Sequence, residues 1–413
     1  MKIIEAISDT NIGGAGILLL NRLKHTDRKK YVSIVVLPKN SALKPRLEKL
    51  GIETVETQYG MDKSFSIRSV IEYIDIIKRI NPDIVNSHGC LSSRMAAKIC
   101  NVPVKICTRH CVYPVIPICK KFKVLIGAFN SCLSDRFIAV AFAAKDNLLE
   151  MGVARKKISV IINGAESLEK YSEIEKERIK NELLIPNDIP VLGICARLEA
   201  CKDHECFFKA LKILKSKKIK FVALVIGEGS LRKHLEELCK EYGLSRYVIF
   251  TGFIENVSPY INITDIVINC SVGTETSSLA LSEGMSLAKP AIVSNYGGNP
   301  YMVKNGVNGF VYESSDYHSL AECIERLCMN RELYEKMSHE SYKRFKQELN
   351  AENMTKKTNK LYDALYYADR TAVELKMKNT RCDRKIYKQG YGIYNGGNKR
   401  ACHNGRVESD SFS

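Results

Sequence analysis

The stretch Glu275-Thr-Ser-Ser-Leu-Ala-Leu-Ser-Glu283-Gly-Met285, followed by Lys289-Pro290, Tyr296-Gly297-Gly298 and Asn308-Gly309, carries the most information in this 413-residue chain. Two carboxylates, Glu275 and Glu283, lie on either side of a loop-to-helix junction. Thr276, Ser277 and Ser278 are residue types that cap a helix by accepting from its first free N–H groups. Pro290-Ala-Ile-Val293 reads as a buried strand, and a glycine pair follows it. A capped helix start beside two acidic side chains offers N–H groups to a phosphate and carboxylates to sugar hydroxyls. That combination suits a nucleotide-sugar.

Working outward, short apolar runs alternate with helical patterns on both sides of this stretch. Residues 2–7, 31–37, 84–87, 104–108, 136–140 and 158–162 read as strands of a first sheet. Residues 66–80 and 92–100 read as helices between them. Residues 168–188 are charged, repeat Glu and Lys, and close on Pro186, as an interdomain connection with a surface helix does. A second series of strands follows at 191–196, 221–226, 248–250, 266–269 and 291–294, with helices at 231–242 and 319–329. Alternation of this kind predicts an α/β chain made of two doubly wound, Rossmann-like halves in tandem with a cleft between them. Residues 332–367 are strongly helical. From Thr371 the chain turns rich in Asn, Gly, Lys, Arg and Ser, with nine basic against four acidic residues, and is expected to be disordered.

Composition narrows the classes. The chain is 45% hydrophobic and 26% charged, as soluble globular proteins are. No apolar run is long enough to predict a membrane span. Glu5 and the lack of a cleavage-like region argue against a signal peptide. The net charge of +17 fits nucleic acid, an anionic membrane or phosphorylated substrates, and equally a solvated basic surface. Fifteen cysteines occur without any Cys-x-x-Cys pair, so they read as buried thiols of a reducing cytoplasm rather than as a zinc or redox site.

Four further motifs bear on chemistry. Gly13-Gly14-Ala15-Gly16 follows the first strand and opens a helix, where glycines let backbone approach a phosphate or sugar; a plain tight turn is the alternative. Gly227-Glu-Gly229-Ser-Leu-Arg232 imitates a dinucleotide fingerprint, but Arg232 occupies the third glycine position, so no nicotinamide or flavin is expected. Arg197 and Lys202 follow the strand 191–196. A guanidinium and an ammonium there suit a diphosphate leaving group, whereas alone they would read as solvated charges. His88 and His110 both follow strands of the first half, where a histidine can orient a hydroxyl or be held structurally by backbone. No Asp-x-Asp occurs, as expected if side chains and helix N-termini hold a diphosphate in place of a metal. Residues 114–129 combine bulky apolar residues with Lys120, Lys121 and Lys123, which is compatible with a helix on an anionic membrane or with a core helix that has a basic edge.

Glu275 with Glu283, Arg197 with Lys202, Gly13-Gly14, Asn163-Gly164, Val225-Ile-Gly-Glu-Gly229, Phe250-Thr-Gly252 and Lys289-Pro290…Gly297-Gly298…Asn308-Gly309 together resemble the retaining GT-B glycosyltransferases of family 4. The resemblance spans roughly residues 1–367. It implies an acceptor domain at 1–166, a linker at 167–188, a nucleotide-sugar domain at 189–345 and a helix at 346–370 crossing back, leaving 371–413 as a basic tail. By match, Arg197 and Lys202 hold the diphosphate, Glu283 the ribose hydroxyls and Glu275 the donor sugar. Gly252 and Phe253 lie at the base. N–H groups around Ser278, Leu279 and Ala280 support the distal phosphate. Gly14 closes over the donor, and His110 contacts the transferring sugar, with Gly13 and His88 on the acceptor side. Where the family often has Gly-Phe-Gly after the first Glu, this chain has Thr276-Ser277-Ser278, which leaves the sugar open.

The expected activity is therefore transfer of a hexosyl or N-acetylhexosaminyl unit, from a UDP-sugar to a hydroxyl acceptor, with retention and without metal or other cofactor. The expected acceptor is a sugar or lipid-linked sugar at the cytoplasmic face of a bacterial membrane. A sugar-nucleotide epimerase on the same architecture would need more acid/base groups around the sugar. A nucleic-acid-binding protein would need a basic stripe or aromatic platform, and the basic residues are spread instead.

Overall fold

The computed structural model describes residues 1–59, 61–112, 121–273 and 275–391, with side chains as far as 371. Two parallel sheets form its body. The first has seven strands: β1 (Lys2–Ile7), β2 (Val32–Pro38), β3 (Glu53–Thr57), β4 (Ile84–His88), β5 (Val104–Arg109), β6 (Arg136–Ala139) and β7 (Ile158–Val160). Their order is β3-β2-β1-β4-β5-β6-β7. The second has six: β8 (Val191–Cys195), β9 (Val222–Ile226), β10 (Val248–Gly252), β11 (Ile266–Asn269), β12 (Ala291–Ser294) and β13 (Gly309–Tyr312), ordered β10-β9-β8-β11-β12-β13. The architecture is GT-B.

In each sheet the strand order reverses beside the first strand, between β1 and β4 and between β8 and β11. Crevices at the carboxyl ends of such switch points are where open α/β sheets take ligands. Residues 13–16 follow β1 and His88 ends β4, while Arg197 and Lys202 follow β8 and Glu275 follows β11, all at these ends.

Each sheet is buried on both faces, which is why its strands are apolar runs rather than alternating ones. One face of the first sheet packs Ile4, Ala6, Ile34, Val36 and Val85 against Tyr73, Ile76 and Ile77 of the helix Ile67–Ile80. The other packs Ile7, Val35 and Leu37 against Leu19, Leu20 and Leu23 of the helix Gly14–Lys24. Phe207, Phe208, Leu211 and Leu214 of the helix His204–Ser216 fill the largest cluster, under the second sheet. The connection between the sheets carries the expected helix, Glu173–Glu182, started by a reciprocal cap between Ser172 and Glu175.

Two strands were not expected. β3 is a half-polar edge strand, Glu-Thr-Val-Glu-Thr, whose apolar content is too low to stand out. β13 begins at Gly309, within the quoted Asn308-Gly309 pair, to which no strand was assigned. The helical region 332–367 is broken: a helix Arg331–Arg344 runs into a π-helical turn Phe345–Leu349, and a new helix starts at Ala351 and continues to Tyr391. It thus passes the boundary expected at 371, since Glu374, Lys376, Lys378 and Arg381 are good helix formers without an intervening Gly or Pro. The remainder of the expected tail, 392–413, and residues 114–120 of the expected amphipathic helix lie outside the described residues.

Ala165 bridges Asn350 in parallel, with Ala165 N–H donating to Leu349 C=O at 3.0 Å and Ala351 N–H to Ala165 C=O at 2.8 Å. A Cβ on Gly164 would fall 2.1 Å from the Asn350 carbonyl oxygen, so no other residue fits this crossing. Beyond it, the final helix returns to the first sheet. Tyr362 is fully buried, its hydroxyl donating to Glu5 Oε1 at 3.1 Å and accepting from Asn86 Nδ2 at 2.9 Å. Tyr362→Ala is expected to cost about 3–5 kcal/mol in denaturant unfolding. Lys356→Ala, which removes only the exposed pair with Glu352 on the same helix, is expected to cost less than about 0.5 kcal/mol.

Candidate active site

The second-half cluster is built on the ends of β8 and β11. β11 ends at Asn269, and the loop after it carries Ser271 and Glu275. Glu275 is 6% exposed. Its Oε2 accepts from Lys202 Nζ at 2.7 Å, Ser271 Oγ at 3.0 Å and Asn269 Nδ2 at 3.3 Å. Lys202 ends a short 3-10 turn, Ala200–Lys202, pinned because Val272 and Gly273 N–H groups donate to Cys201 C=O. Asn299 donates to both Asn269 Oδ1 and Ser294 Oγ, and Ser294 Oγ–H donates to Ser271 C=O at 2.6 Å. A charged pair this buried survives only when such donors complete it.

The glycine pair after β12 has a steric cause. A Cβ on Gly297, whose φ is +60°, would lie 2.0 Å from Glu275 C=O, and one on Gly298 would lie 1.8 Å from Thr276 C=O. Backbone packs on backbone there, which sets the Glu275 loop. Of the three hydroxyl residues, Ser278 is the cap: it accepts from Leu281 N–H at 3.4 Å at the start of the helix Leu279–Ser286. N–H groups of Leu279 and Ala280 are first-turn donors without a carbonyl one turn back. Ser278 and Ala280 line a small cavity with Lys202, Asn269 and Ser271.

Glu283 sits one turn further along and faces β8. Burial raises its carboxyl above the ordinary range, and among the described residues no cation pairs with it. Burial, with Glu283 adding to it, pushes the Cys195 thiol at the end of β8 up to about 12. Two residues on, Arg197 is exposed. Gly227-Glu-Gly229 folds against its loop: a Cβ on Gly227 would meet Ala196 C=O at 2.1 Å, and one on Gly229 would meet Leu198 C=O at 2.5 Å. The glycines of that motif thus serve contact between two loops. Gly252, at φ +73°, ends β10 and is followed by exposed Phe253.

In the first half, His88 and His110 are brought into contact. His88 Nδ1 lies 2.8 Å from His110 Nε2, the rings meeting edge to edge with their planes 23° apart. His88 Nε2 lies 2.9 Å from Glu5 Oε2, and Asn86 Nδ2 donates to the same oxygen at 2.9 Å. Arg22 donates to Glu5 Oε1. Burial would raise the Glu5 carboxyl, but Arg22 and the hydrogen bonds from His88 and Asn86 hold it below its ordinary value. Burial and the neighbouring His88 bring His110 down to about 3. Gly13 caps the first helix and Gly14 opens it, with open space where a Gly14 Cβ would stand. Cys111, the residue after His110, is exposed, and the charges of Arg109 and Arg197 act on its thiol.

The model for glycosyl transferases group 1 matches residues 175–344, and that for glycosyltransferase family 4 matches residues 12–167. The chain belongs to this glycosyltransferase family. EpsD, a glycosyltransferase of Bacillus subtilis, is 26% identical over 53% of the chain and 57% of its own length. The UDP-Gal:alpha-D-GlcNAc-diphosphoundecaprenol alpha-1,3-galactosyltransferase of Escherichia coli is 27% identical over 63% of the chain and 70% of its own length. The match to the first of these thus spans less than two thirds of that protein. Anabaena HepE, crystallised in complex with UDP, superposes with a TM-score of 0.78 over 88% of the chain and 100% of its own, at 19% identity.

In this family member, Lys202, Asn269, Ser271 and Ser278 line one cavity, the first three of them hydrogen-bonded to Glu275, and Glu283 and Arg197 flank the end of β8. His88 and His110 form a second cluster under the first sheet's carboxyl edge. Residues missed from the sequence are Asn269 and Ser271, which complete Glu275, and Glu5, Arg22, Asn86 and Tyr362, which hold His88. Glu5 had a signal: it is the one charged residue between Ile3 and Ile7 of an otherwise apolar strand.

His204, which opens its helix, is 2% exposed, neither ring nitrogen has a partner among the described residues, and burial with Lys202 nearby brings it down to about 4. Unfolded, His110 and His204 take up protons below about pH 6.5. Folded, they refuse them until about pH 3 and 4, so stability present above pH 6.5 is lost as pH falls. Melting temperature is expected to drop between pH 6.5 and 4, and less steeply in His204→Leu. An unchanged slope in that variant would contradict the buried neutral imidazole.

Proposed function

We propose that this chain transfers a hexosyl or N-acetylhexosaminyl unit from a UDP-sugar to a hydroxyl group, with retention at the anomeric carbon. The observation that carries the proposal is the Lys202–Glu275 pair beside the first-turn N–H groups of the helix Leu279–Ser286. The E. coli relative is named for a UDP-galactose donor and a GlcNAc-diphosphoundecaprenol acceptor, and HepE was crystallised with UDP and with UDP-glucose. Both support a uridine donor, and the former supports a lipid-linked acceptor.

In this reading Lys202 and Arg197 neutralise the diphosphate as the C1–O bond to it breaks, without a metal ion. The acceptor oxygen bonds C1 from the face the diphosphate leaves, and its proton passes to a departing phosphate oxygen. Glu283, desolvated and unpaired, accepts from ribose hydroxyls. Glu275 lies against the sugar, its charge already balanced by Lys202. Cleft walls from both sheets exclude water, which limits hydrolysis of the donor.

Lys202→Ala and Glu275→Ala are each expected to lower transfer about 10²–10³-fold across a panel of UDP-sugars. Undiminished transfer by both would remove the assignment.

A peripheral position at an anionic membrane extends the same reading. No helix among the described residues is long and apolar enough to cross a membrane. However, Phe122, Val124, Leu125 and Phe129, on or beside the helix Lys123–Leu133, are exposed next to Lys121 and Lys123. Apolar residues flanked by lysines suit the headgroup boundary. The wild-type chain is expected to sediment with vesicles containing anionic phospholipid and not with neutral ones. Val124→Glu with Leu125→Glu is expected to abolish sedimentation and leave transfer to a soluble acceptor intact.

A further inference from the structure

The first-half cluster contains more than a pair of cleft histidines. Glu5, at 0% exposure in the middle of β1, is a carboxylate placed where no substrate reaches it. It is joined through His88 to His110, and His110 Nδ1 is buried without a hydrogen-bond partner among the described residues.

Proton counting decides how the rings are arranged. Glu5 is ionised and balanced one-to-one by the buried Arg22. An imidazolium at His88 would place a second cation in the same enclosed space, with no second anion to meet it. His88 is therefore neutral, and its single N–H is on Nε2, because the oxygen 2.9 Å away is a carboxylate that can only accept. Its Nδ1 then carries a lone pair. His110 Nε2, 2.8 Å away, must donate to that lone pair, since two bare nitrogens at this distance repel. The remaining nitrogen of His110, Nδ1, is left as a bare acceptor.

The geometry points to Glu5 and His88 as positioning residues, which fix His110 in the Nε2–H tautomer so that its Nδ1 receives a hydrogen bond from a substrate hydroxyl. The inference rests on the glycosyl-transfer reading only for the identity of that hydroxyl. The tautomer itself follows from residues outside the donor pocket. A hydroxyl of a neutral sugar can donate to Nδ1, whereas an ionised carboxylate of a uronic acid would meet a lone pair. Strand pairing keeps the groups in line: Glu5 pairs with Asn86 across β1 and β4, and His88 with Thr108 across β4 and β5. Thr108 Oγ1 donates to Asn86 Oδ1 at 2.9 Å, which fixes the amide so that its NH₂ faces Glu5.

The test is nitrogen NMR of the imidazole rings in the full-length chain at pH 7, with His88→Asn and His110→Asn used for assignment. His88 and His110 are both expected to carry the proton on Nε2. A protonated His110 Nδ1 in the wild type overturns the inference, whatever the enzyme's activity proves to be. Glu5→Gln supplies a second arm. An amide oxygen turned to Arg22 leaves the NH₂ facing both Asn86 and His88 Nε2, so the Asn86 amide is expected to flip, with Thr108 Oγ1 accepting in place of donating, and both rings to switch to the Nδ1–H form. With the switch, kcat for UDP-hexose is expected to fall about 10–100-fold, while KM for the donor moves less than about threefold. A purely structural Glu5 would lower stability without changing the tautomers. Retention of the Nε2–H form in Glu5→Gln, or a switch that leaves kcat untouched, also overturns it. Absence of any transfer by the wild type, with the expected tautomers observed, would fault the proposed function and leave this inference standing.

Discussion

An ionised carboxylate cannot remain inside a protein unless donors replace the water it has lost. Glu5 states that constraint for the first half of this molecule. Its four hydrogen-bonding partners come from three separate elements: Arg22 from the first helix, Asn86 and His88 from β4, and Tyr362 from the final helix. Taking any of them away leaves a buried charge short of a partner, which costs about 3–5 kcal/mol when the lost group is the countercharge. The final helix is thus held to the first sheet by a specific polar contact as well as by area. The same contact aligns the imidazole pair at the sheet's carboxyl edge.

The second half follows the same rule with a different outcome. Glu275 and Lys202 are mostly buried, and three donors meet one carboxylate oxygen. Glu283 has no such company, and burial alone acts on it. One carboxylate has its countercharge inside the fold, and the other has none among the described residues. The Glu275 loop depends on backbone set at contact distance by Gly297 and Gly298, so its placement rests on the absence of two methyl groups.

Much of the fold was legible because buried parallel strands are apolar runs separated by helical periods. Eleven strands and the order of motifs followed from that signal. β3 escaped it because an edge strand needs little apolar surface, and β13 because its opening glycine is also a turn former. The far end of the last helix escaped because polar helix formers look like tail composition when no apolar stripe accompanies them. Site residues at strand ends were legible by position. Those that support them were not: Glu5 and Tyr362 meet across 357 residues, and no local period reports such a contact. Hydroxyl residues behaved likewise. Ser271 resembles any loop serine until Glu275 is folded against it, and Thr276, a plausible cap by type, is left to Ser278's advantage in position.

The bridge between Ala165 and Asn350 has a mechanical meaning. Two passages of chain run side by side between the sheets, tied by paired amides, with Gly164 pressed against one carbonyl. A single strand would let the halves swivel and slide. Two tied strands behave as a flexure: twisting and shearing strain the amide pair, and bending about one line does not. Any movement of one half against the other is thereby steered toward bending about that line.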